Sequence, residues 1–476
     1  MASPADGKFA LPTLTAMVVG SMVGAGIFSL PQTFGRVTGG LGALIAWAIA
    51  GAGMLMLAFV FQTLSRRKPN LDAGVYAYAK AGFGDYPGFL SALGYWTVCC
   101  LGNVSYWVLI KSTLGALFPV FGDGNTVIAV ALSSVGVWIV HFLILRGVRE
   151  AAVINTIVTV AKIIPILVFL ALVAIAFKAD VFAANFHGGP GLEGEGLAAQ
   201  VRGTMLVTVF VFVGIEGASV YSRYARKRED VGLATLLGFA GVLCLLVLVT
   251  LLSYGVLPRA DLAGLRNPSM AGVLASVVGP WGAVFVSVGL IVSVLGAYLS
   301  WSLLAAEVLF SAAKMESMPR FLAHQNAAGV PDAALWLTNG LIQSFLILTL
   351  FAEQAFILAL KLTSSMILLP YLLVAAYALK LALTGETYAR GPQERRGDLV
   401  RAALATLYTA GLVYAGGLKF LLLSTLIYAP GTVLFAIAQR ERGRPVFTRL
   451  EQILLAALVA GAIAGMFGLA TGRISI

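Results

Sequence analysis

The first long apolar segment of the chain contains the stretch Val19-Gly-Ser-Met-Val-Gly-Ala-Gly-Ile-Phe-Ser-Leu-Pro31. Glycine here costs about 1 kcal/mol relative to alanine in a helix interior. Because a bilayer has no water to satisfy exposed backbone groups, broken helices occur there only where they line a cavity. We therefore expect a break, followed by a half-helix that begins near Ile27. The N–H groups of Gly24, Ala25 and Gly26 would face the cavity and suit a carboxylate.

A second interrupted span contains the stretch Phe210-Val-Phe-Val-Gly-Ile-Glu-Gly-Ala-Ser219. It is the sixth span, so that it and the first span each begin a group of five. A pair of glycine-broken helices at matching positions indicates an inverted-repeat transporter. The pairing favours a cavity over a close helix crossing, which the GxxxG spacing of Gly20 and Gly24 also allows. We expect non-helical backbone in 23–27 and in 213–219.

The composition predicts an all-α polytopic membrane protein, because 59% of the 476 residues are hydrophobic and only 11% are charged. We expect a single transporter domain with a five-plus-five repeat. Repeat one covers about 11–177, repeat two about 202–379, and two or three extra helices about 399–471. The apolar segments predict about thirteen spans, at 11–35, 41–64, 88–118, 127–146, 151–177, 202–222, 232–256, 281–310, 333–351, 355–379, 399–416, 419–438 and 450–471.

The net charge is +11, and the loops on one side of the predicted spans contain roughly three times as many Lys and Arg residues as the loops on the other side. The positive-inside rule then puts the amino terminus in the cytoplasm, and the charge indicates no nucleic-acid partner. Scattered histidines and three cysteines in apolar spans predict no metal site, and the chain has no cofactor or enzyme motif. The segments 178–201 and 257–280 are rich in Gly and Pro, so we expect loops with little regular structure there.

Two ionisable side chains are predicted at membrane depth. A carboxyl such as Glu216 at a helix centre usually faces a cavity or a proton path. The alternative is a neutral carboxyl that only joins two helices. Lys162 could bridge carbonyls of the broken first helix, or it could extend toward an interface. Trp301 could stack on a cationic side chain or simply pack in the core, and Asn103 could bind a ligand or hold helices together.

Three motifs resemble the amino acid-polyamine-organocation superfamily, in its basic amino acid/polyamine antiporter branch. They are Gly24-Ala-Gly-Ile-Phe, Phe212-Val-Gly-Ile-Glu-Gly-Ala-Ser-Val220 and Leu295-Gly-Ala-Tyr-Leu-Ser-Trp301. A narrower similarity to bacterial arginine/ornithine antiporters rests on Arg67-Lys-Pro-Asn-Leu-Asp-Ala-Gly-Val-Tyr-Ala-Tyr78 and Ala334-Leu-Trp-Leu-Thr-Asn339. The resemblance implies alternating access, exchange of basic amino acids, and a place in the bacterial inner membrane among its lipids.

The resemblance also implies roles for individual residues. The N–H groups of Ala25 and Gly26 would hold the substrate carboxylate. Trp301 would stack on the guanidinium, and Asn103 matches a span-three Asn of the arginine/agmatine relatives. The remaining implied positions are the carbonyls that would take the α-ammonium, at Met22, Phe210 and Val213, and the gating Glu216 with its neighbours Tyr95 and Tyr371.

Lys162 departs from the arginine/agmatine pattern and is similar to the span-five Lys of proton-coupled members. A proton-coupled amino acid importer and another cationic amino acid or polyamine exchanger therefore remain as alternatives to arginine/ornithine exchange. The oligomeric state is also open, with a homodimer as one alternative.

Overall fold

The computed structural model describes residues 10–71, 74–147, 151–189, 191–192, 194–216, 228–352, 354–388 and 392–474. Helices connected by turns and short segments make up this part of the chain. In order they are α1 (Leu11–Met22), α2 (Leu30–Gly35), α3 (Gly40–Arg67), α4 (Val75–Phe83), α5 (Asp85–Leu117), α6 (Val127–Leu145), α7 (Ala151–Ile175), α8 (Ala179–Asn185), α9 (Leu197–Phe212), α10 (Arg228–Ser253), α11 (Arg259–Gly264), α12 (Ser269–Val278), α13 (Pro280–Lys314), α14 (Asp332–Leu348), α15 (Ala355–Thr384), α16 (Pro392–Arg440) and α17 (Arg449–Ala470).

Long apolar helices dominate the fold. Among the described residues, nine are long and apolar enough to cross a membrane, and two bent pairs raise the number to eleven. The predicted all-helical polytopic class is thus confirmed. The predicted span 202–222 corresponds to the shorter helix α9, which begins earlier, at Leu197, and ends at Phe212. Residues 217–222 of that span lie outside the described part of the chain.

Helix α16 consists of two helical segments separated by a kink at Gly417. A straight helix of 49 residues would be about 74 Å long, more than twice the hydrocarbon thickness of a bilayer. Gly417 interrupts it with φ 76° and ψ 167°, a conformation that glycine adopts without strain. The two resulting segments correspond to the predicted spans 399–416 and 419–438. The first begins earlier than predicted, at Pro392, and the second ends later, at Arg440.

The two ends of the bundle can be told apart by their contacts. At the Arg67 end, Arg67 Nη2 lies 2.9 Å from a carboxylate oxygen of Glu394, and Lys68 Nζ lies 2.6 Å from one of Glu386. At the opposite end, which we call the Gly417 end, Arg202 Nε donates to the carbonyl oxygen of Ala415 over 3.4 Å. The ion pairs at the Arg67 end therefore connect the end of α3 with the segment after α15 and with the start of α16.

The prediction of irregular loops in 178–201 and 257–280 is wrong. The first segment contains α8 and the start of α9, and the second contains α11 and α12. These short helices are held by buried polar contacts that local composition does not reveal. Asn185 Nδ2 donates to the carbonyls of Tyr254 and Leu257, and its Oδ1 accepts from the Arg259 backbone.

Helix α5 runs through the centre of the bundle, since 94% of its most apolar window is buried, against 17% for α17. It packs against α13 and α15. A central helix surrounded by other helices can carry polar side chains, because none of them must face lipid. This placement brings Tyr106 of α5 next to Gly24 and Tyr95 of α5 next to Glu216.

Candidate functional site

The first helix is broken where the glycine pattern predicts. Helix α1 ends at Met22, and Val23 (φ −76°, ψ 91°) and Gly24 (φ −115°, ψ −153°) are extended. The chain resumes at Ala25 with a 3-10 turn that leads into α2, at 48° to α1. The predicted break through Ile27 is too long, because the 3-10 turn already begins at Ala25.

The second break follows α9. Val213 has φ −57° and ψ 129°, and Gly214 has φ 107°. The expected irregular backbone is present through 216, while 217–219 lie outside the described residues. Ser21 Oγ donates to the carbonyl oxygen of Gly214 over 2.9 Å. One hydrogen bond therefore joins the end of α1 directly to the second break.

A cavity of about 30 Å³ lies between the two breaks. Six of the predicted binding residues line it: Met22, Ala25, Gly26, Phe210, Val213 and Trp301. A space of this volume holds about one water molecule. An amino acid would therefore enter only after the surrounding side chains move apart.

Glycines let the backbone approach the cavity wall closely. A Cβ on Gly26 would lie 2.6 Å from Val211 Cγ1 and 2.8 Å from Phe210 Cδ1. A Cβ on Gly24 would lie 2.9 Å from the hydroxyl of Tyr106. Phe210 therefore packs against the first break, so that a side chain in place of Gly26 would close the cavity.

Glu216 is fully buried and joins three helices. Its two carboxylate oxygens accept hydrogen bonds from the hydroxyls of Tyr95 and Tyr371, each over 2.7 Å, and one also accepts from the Gly214 N–H over 3.2 Å. The structure thus brings together the three residues that the resemblance named as a gate. Their gating role stays a prediction.

Lys162 contacts the first helix just before its break. Its Nζ donates to the carbonyl oxygen of Gly20 over 2.5 Å, and the side chain is only 2% exposed. A lysine that extends to an interface would keep its ammonium group in water, so this geometry favours the predicted bridge to α1. Whether Lys162 carries a proton during transport stays a prediction.

Asn103 is fully buried and is not among the residues that line the cavity. Its Nδ2 donates to Ser302 Oγ over 3.1 Å, and its Oδ1 has no partner among the described residues. Ser302 follows Trp301, whose half-buried indole lines the cavity. The arrangement suits an Asn that positions the Trp301 turn of α13, and the buried free oxygen is available to a further donor.

The cavity lining also includes residues that were not predicted as part of the site, among them Thr363 and Ser21. Thr363 lines the cavity from α15, and Ser21 lines it from α1. No sequence signal distinguishes Thr363 from the other hydroxyl residues of the apolar spans. For Ser21 a signal existed, because it lies inside the first glycine-rich stretch.

Comparison with known proteins places the chain in a family. The model of the amino acid permease family matches residues 9–467. An arginine/ornithine antiporter of Pseudomonas aeruginosa is 54% identical over the full length of both chains. An L-lysine transport protein of Corynebacterium glutamicum is 43% identical, covering 98% of this chain and 95% of its own. An arginine/agmatine antiporter of Chlamydia pneumoniae is 37% identical, covering 97% of each. The chain belongs to the amino acid permease family, and the resemblance that its motifs indicated is confirmed.

Proposed function

We propose that the chain is a secondary active transporter that exchanges arginine for ornithine by alternating access. The observation that carries the proposal is the cavity between the two helix breaks, which offers backbone groups, rather than charged side chains, to a substrate. Relatives named as antiporters of basic amino acids support the substrate class. Both substrates are cations of equal charge, so their exchange needs no net charge movement.

The site provides separate partners for the three charged groups of the substrate. The N–H groups of Ala25 and Gly26 lie at the start of a helical turn and suit the carboxylate. The carbonyls of Met22, Phe210 and Val213 lie where helices end and suit the α-ammonium. A carbonyl has two lone pairs, so the Phe210 oxygen, which accepts from Val213 N over 3.3 Å, keeps one for a ligand.

Trp301 would bind the cationic side chain. We expect Trp301→Leu to weaken arginine and ornithine binding by roughly ten- to thirtyfold, because a cation over an indole face gains about 1 to 2 kcal/mol. Trp301→Phe should recover part of the affinity. Calorimetric titration of the purified protein measures both. Trp281, which is on the same helix and 55% exposed, is the matched control, and Trp281→Leu should bind as the parent does. If both Trp301 variants bound arginine and ornithine as tightly as the parent does, Trp301 would have a packing role alone.

We also propose that 11–177 and 202–379 are inverted repeats and that Tyr95, Glu216 and Tyr371 form a gate. The two breaks at corresponding places support the repeat, and the buried hydrogen bonds of Glu216 support the gate. The amino terminus would lie in the cytoplasm of a bacterium, on the same side as the Arg67 end. The absence of enzyme activity, of a cofactor and of a nucleic-acid partner, and the homodimer, stay predictions.

Counterflow tests the proposed exchange. Protein reconstituted in liposomes that contain ornithine should take up labelled arginine, whereas liposomes without internal substrate should take up almost none. Lysine, histidine and polyamines inside the liposomes define the substrate range. Arginine uptake that is independent of any internal substrate would contradict exchange.

The second candidate is a proton-coupled importer of a cationic amino acid. The contact between Lys162 and Gly20 favours it, because it places an ionisable group directly on the broken helix. The relative named as an L-lysine transport protein supports the same substrate class. Under this candidate, a pH gradient alone would drive arginine into liposomes that contain no amino acid.

A further inference from the structure

A large groove, separate from the cavity between the breaks, lies at the Gly417 end of the bundle. It has a volume of about 1080 Å³ and is formed by the starts of α3 and α9, by α15 and by the bend of α16. We call it the basic groove. Its lining includes Ile49, Arg202, Lys361, Tyr414 and Phe420. The volume is at the upper end of the range for small-molecule sites.

The basic groove opens toward the surroundings of the helices. Tyr414 is 75% exposed and Ile49 is 44% exposed, and both belong to helices long and apolar enough to span a membrane. Most of its lining is aliphatic or aromatic, with Leu206 and Leu412 at its buried side. Acyl chains are the apolar material that a bilayer supplies to such an opening.

Two cations, Arg202 and Lys361, line the groove, and a third, Lys419, precedes its lining residue Phe420 in the chain. The Arg202 guanidinium lies 5.1 Å from the Tyr414 ring centroid. The ammonium groups of Lys361 and Lys419 lie 5.8 and 5.5 Å from the centroid of one ring, that of Phe420. No lining residue is acidic, and no ion pair within the described part of the chain involves any of the three cations.

The ammonium groups of Lys361 and Lys419 approach one ring, and like charges so placed next to hydrocarbon are unfavourable without an anion. The aromatic rings offset only part of this cost. A phosphate group would contact the cations, while the chains attached to it would cover the apolar wall. We propose that the basic groove binds an anionic phospholipid, with its phosphate at Arg202, Lys361 and Lys419 and its acyl chains along α3 and α9.

A second copy of the chain fits the groove less well. Two copies related by a two-fold axis present the same surface to each other. An interface formed by the groove would then contain the same three cations from each copy and no acidic lining residue, which adds repulsion instead of removing it. Charge complementarity therefore selects the lipid over the dimer contact.

Native mass spectrometry of the purified full-length protein tests the proposal. The protein is titrated with phosphatidylglycerol or with phosphatidylcholine of identical acyl chains. We expect phosphatidylglycerol to bind at least tenfold more tightly. Lys361→Gln should weaken its binding by roughly fivefold, and the triple variant Arg202→Gln, Lys361→Gln, Lys419→Gln by roughly a hundredfold, since each basic residue near a lipid surface contributes about the same free energy.

Matched variants separate the groove from general surface charge. Arg473 also lies over an aromatic ring, 5.9 Å from the Phe467 centroid, but outside the groove. Arg473→Gln should bind as the parent does, and Lys361→Arg, which keeps the charge, should retain phosphatidylglycerol. Size-exclusion chromatography first establishes that each variant is folded.

Several outcomes would overturn the proposal. One is equal affinity for the two lipids, and another is full retention of phosphatidylglycerol by the folded triple variant. Inorganic phosphate that binds as tightly as the lipid would make the groove a free-anion site. A changed oligomeric state with unchanged lipid binding would make it a contact between copies. Each readout is independent of transport.

Discussion

Gly214→Ala is expected to abolish arginine uptake, with a fall of at least a hundredfold in the initial rate in liposomes. At φ 107° a residue with a side chain is strained by about 1–3 kcal/mol. The new Cβ would also lie 2.6 Å from the carbonyl oxygen of Ser21 and 2.8 Å from its carbonyl carbon. These are backbone atoms at the end of α1, directly before the first break, so relief requires the end of α1 and the second break to separate.

Gly241→Ala is the matched control, because Gly241 lies in α10 and a Cβ there would contact nothing within 4 Å. Alanine in a helix interior is favoured over glycine by about 0.5–1 kcal/mol, so this variant should transport normally and melt no lower than the parent. Transport by Gly214→Ala within a few fold of the parent would show that the breaks need not touch, and the site assignment would fail.

The sequence predicts the helix breaks because their cause is local. Glycines at 20, 24 and 26 and again at 214 weaken a helix wherever the rest of the chain lies. The break after Met22 and the turn at Val213 are both found there. The exact residue at which a helix begins or ends depends on individual hydrogen bonds, which the sequence pattern does not determine. The start of the 3-10 turn at Ala25 was therefore missed.

The partners of the buried polar groups could not be predicted from local pattern. Glu216 is 121 residues from Tyr95 and 155 residues from Tyr371 in the chain. Only the packing of α5, α9 and α15 brings them together, and the pairing was expected solely from the family resemblance. The same is true of Asn185, whose distant carbonyl partners hold short helices where glycine and proline had indicated loops.

The basic groove shows a further limit of sequence reasoning. In the sequence, Lys361 lies near the start of the predicted span 355–379, and Lys419 is the first residue of the predicted span 419–438. Lys419 precedes Phe420 in the chain, but only the packing of α15 against α16 brings Lys361 to the same ring. Charge clusters that form through tertiary packing have no signature in a one-dimensional charge count.

Lys162→Met is expected to lower arginine exchange by roughly ten- to hundredfold, at every pH tested. Methionine has a similar length but cannot donate to the Gly20 carbonyl, which Lys162 Nζ contacts over 2.5 Å. A hydrogen bond from a charged donor is worth about 1.5–3 kcal/mol, and its loss would loosen α1 just before the break. Counterflow into liposomes that contain ornithine measures the effect.

Lys111→Met is the control for the Lys162 prediction, because Lys111 is also buried but, among the described residues, its Nζ donates to Thr349 Oγ1 over 3.5 Å and not to either helix break. It should transport within a few fold of the parent. The decisive comparison uses the parent protein in liposomes without amino acid and with an inward proton gradient. If Lys162 is a fixed cation that holds α1, no arginine accumulates there. Accumulation in the parent that disappears in Lys162→Met would make Lys162 the proton carrier and replace exchange by proton-coupled import.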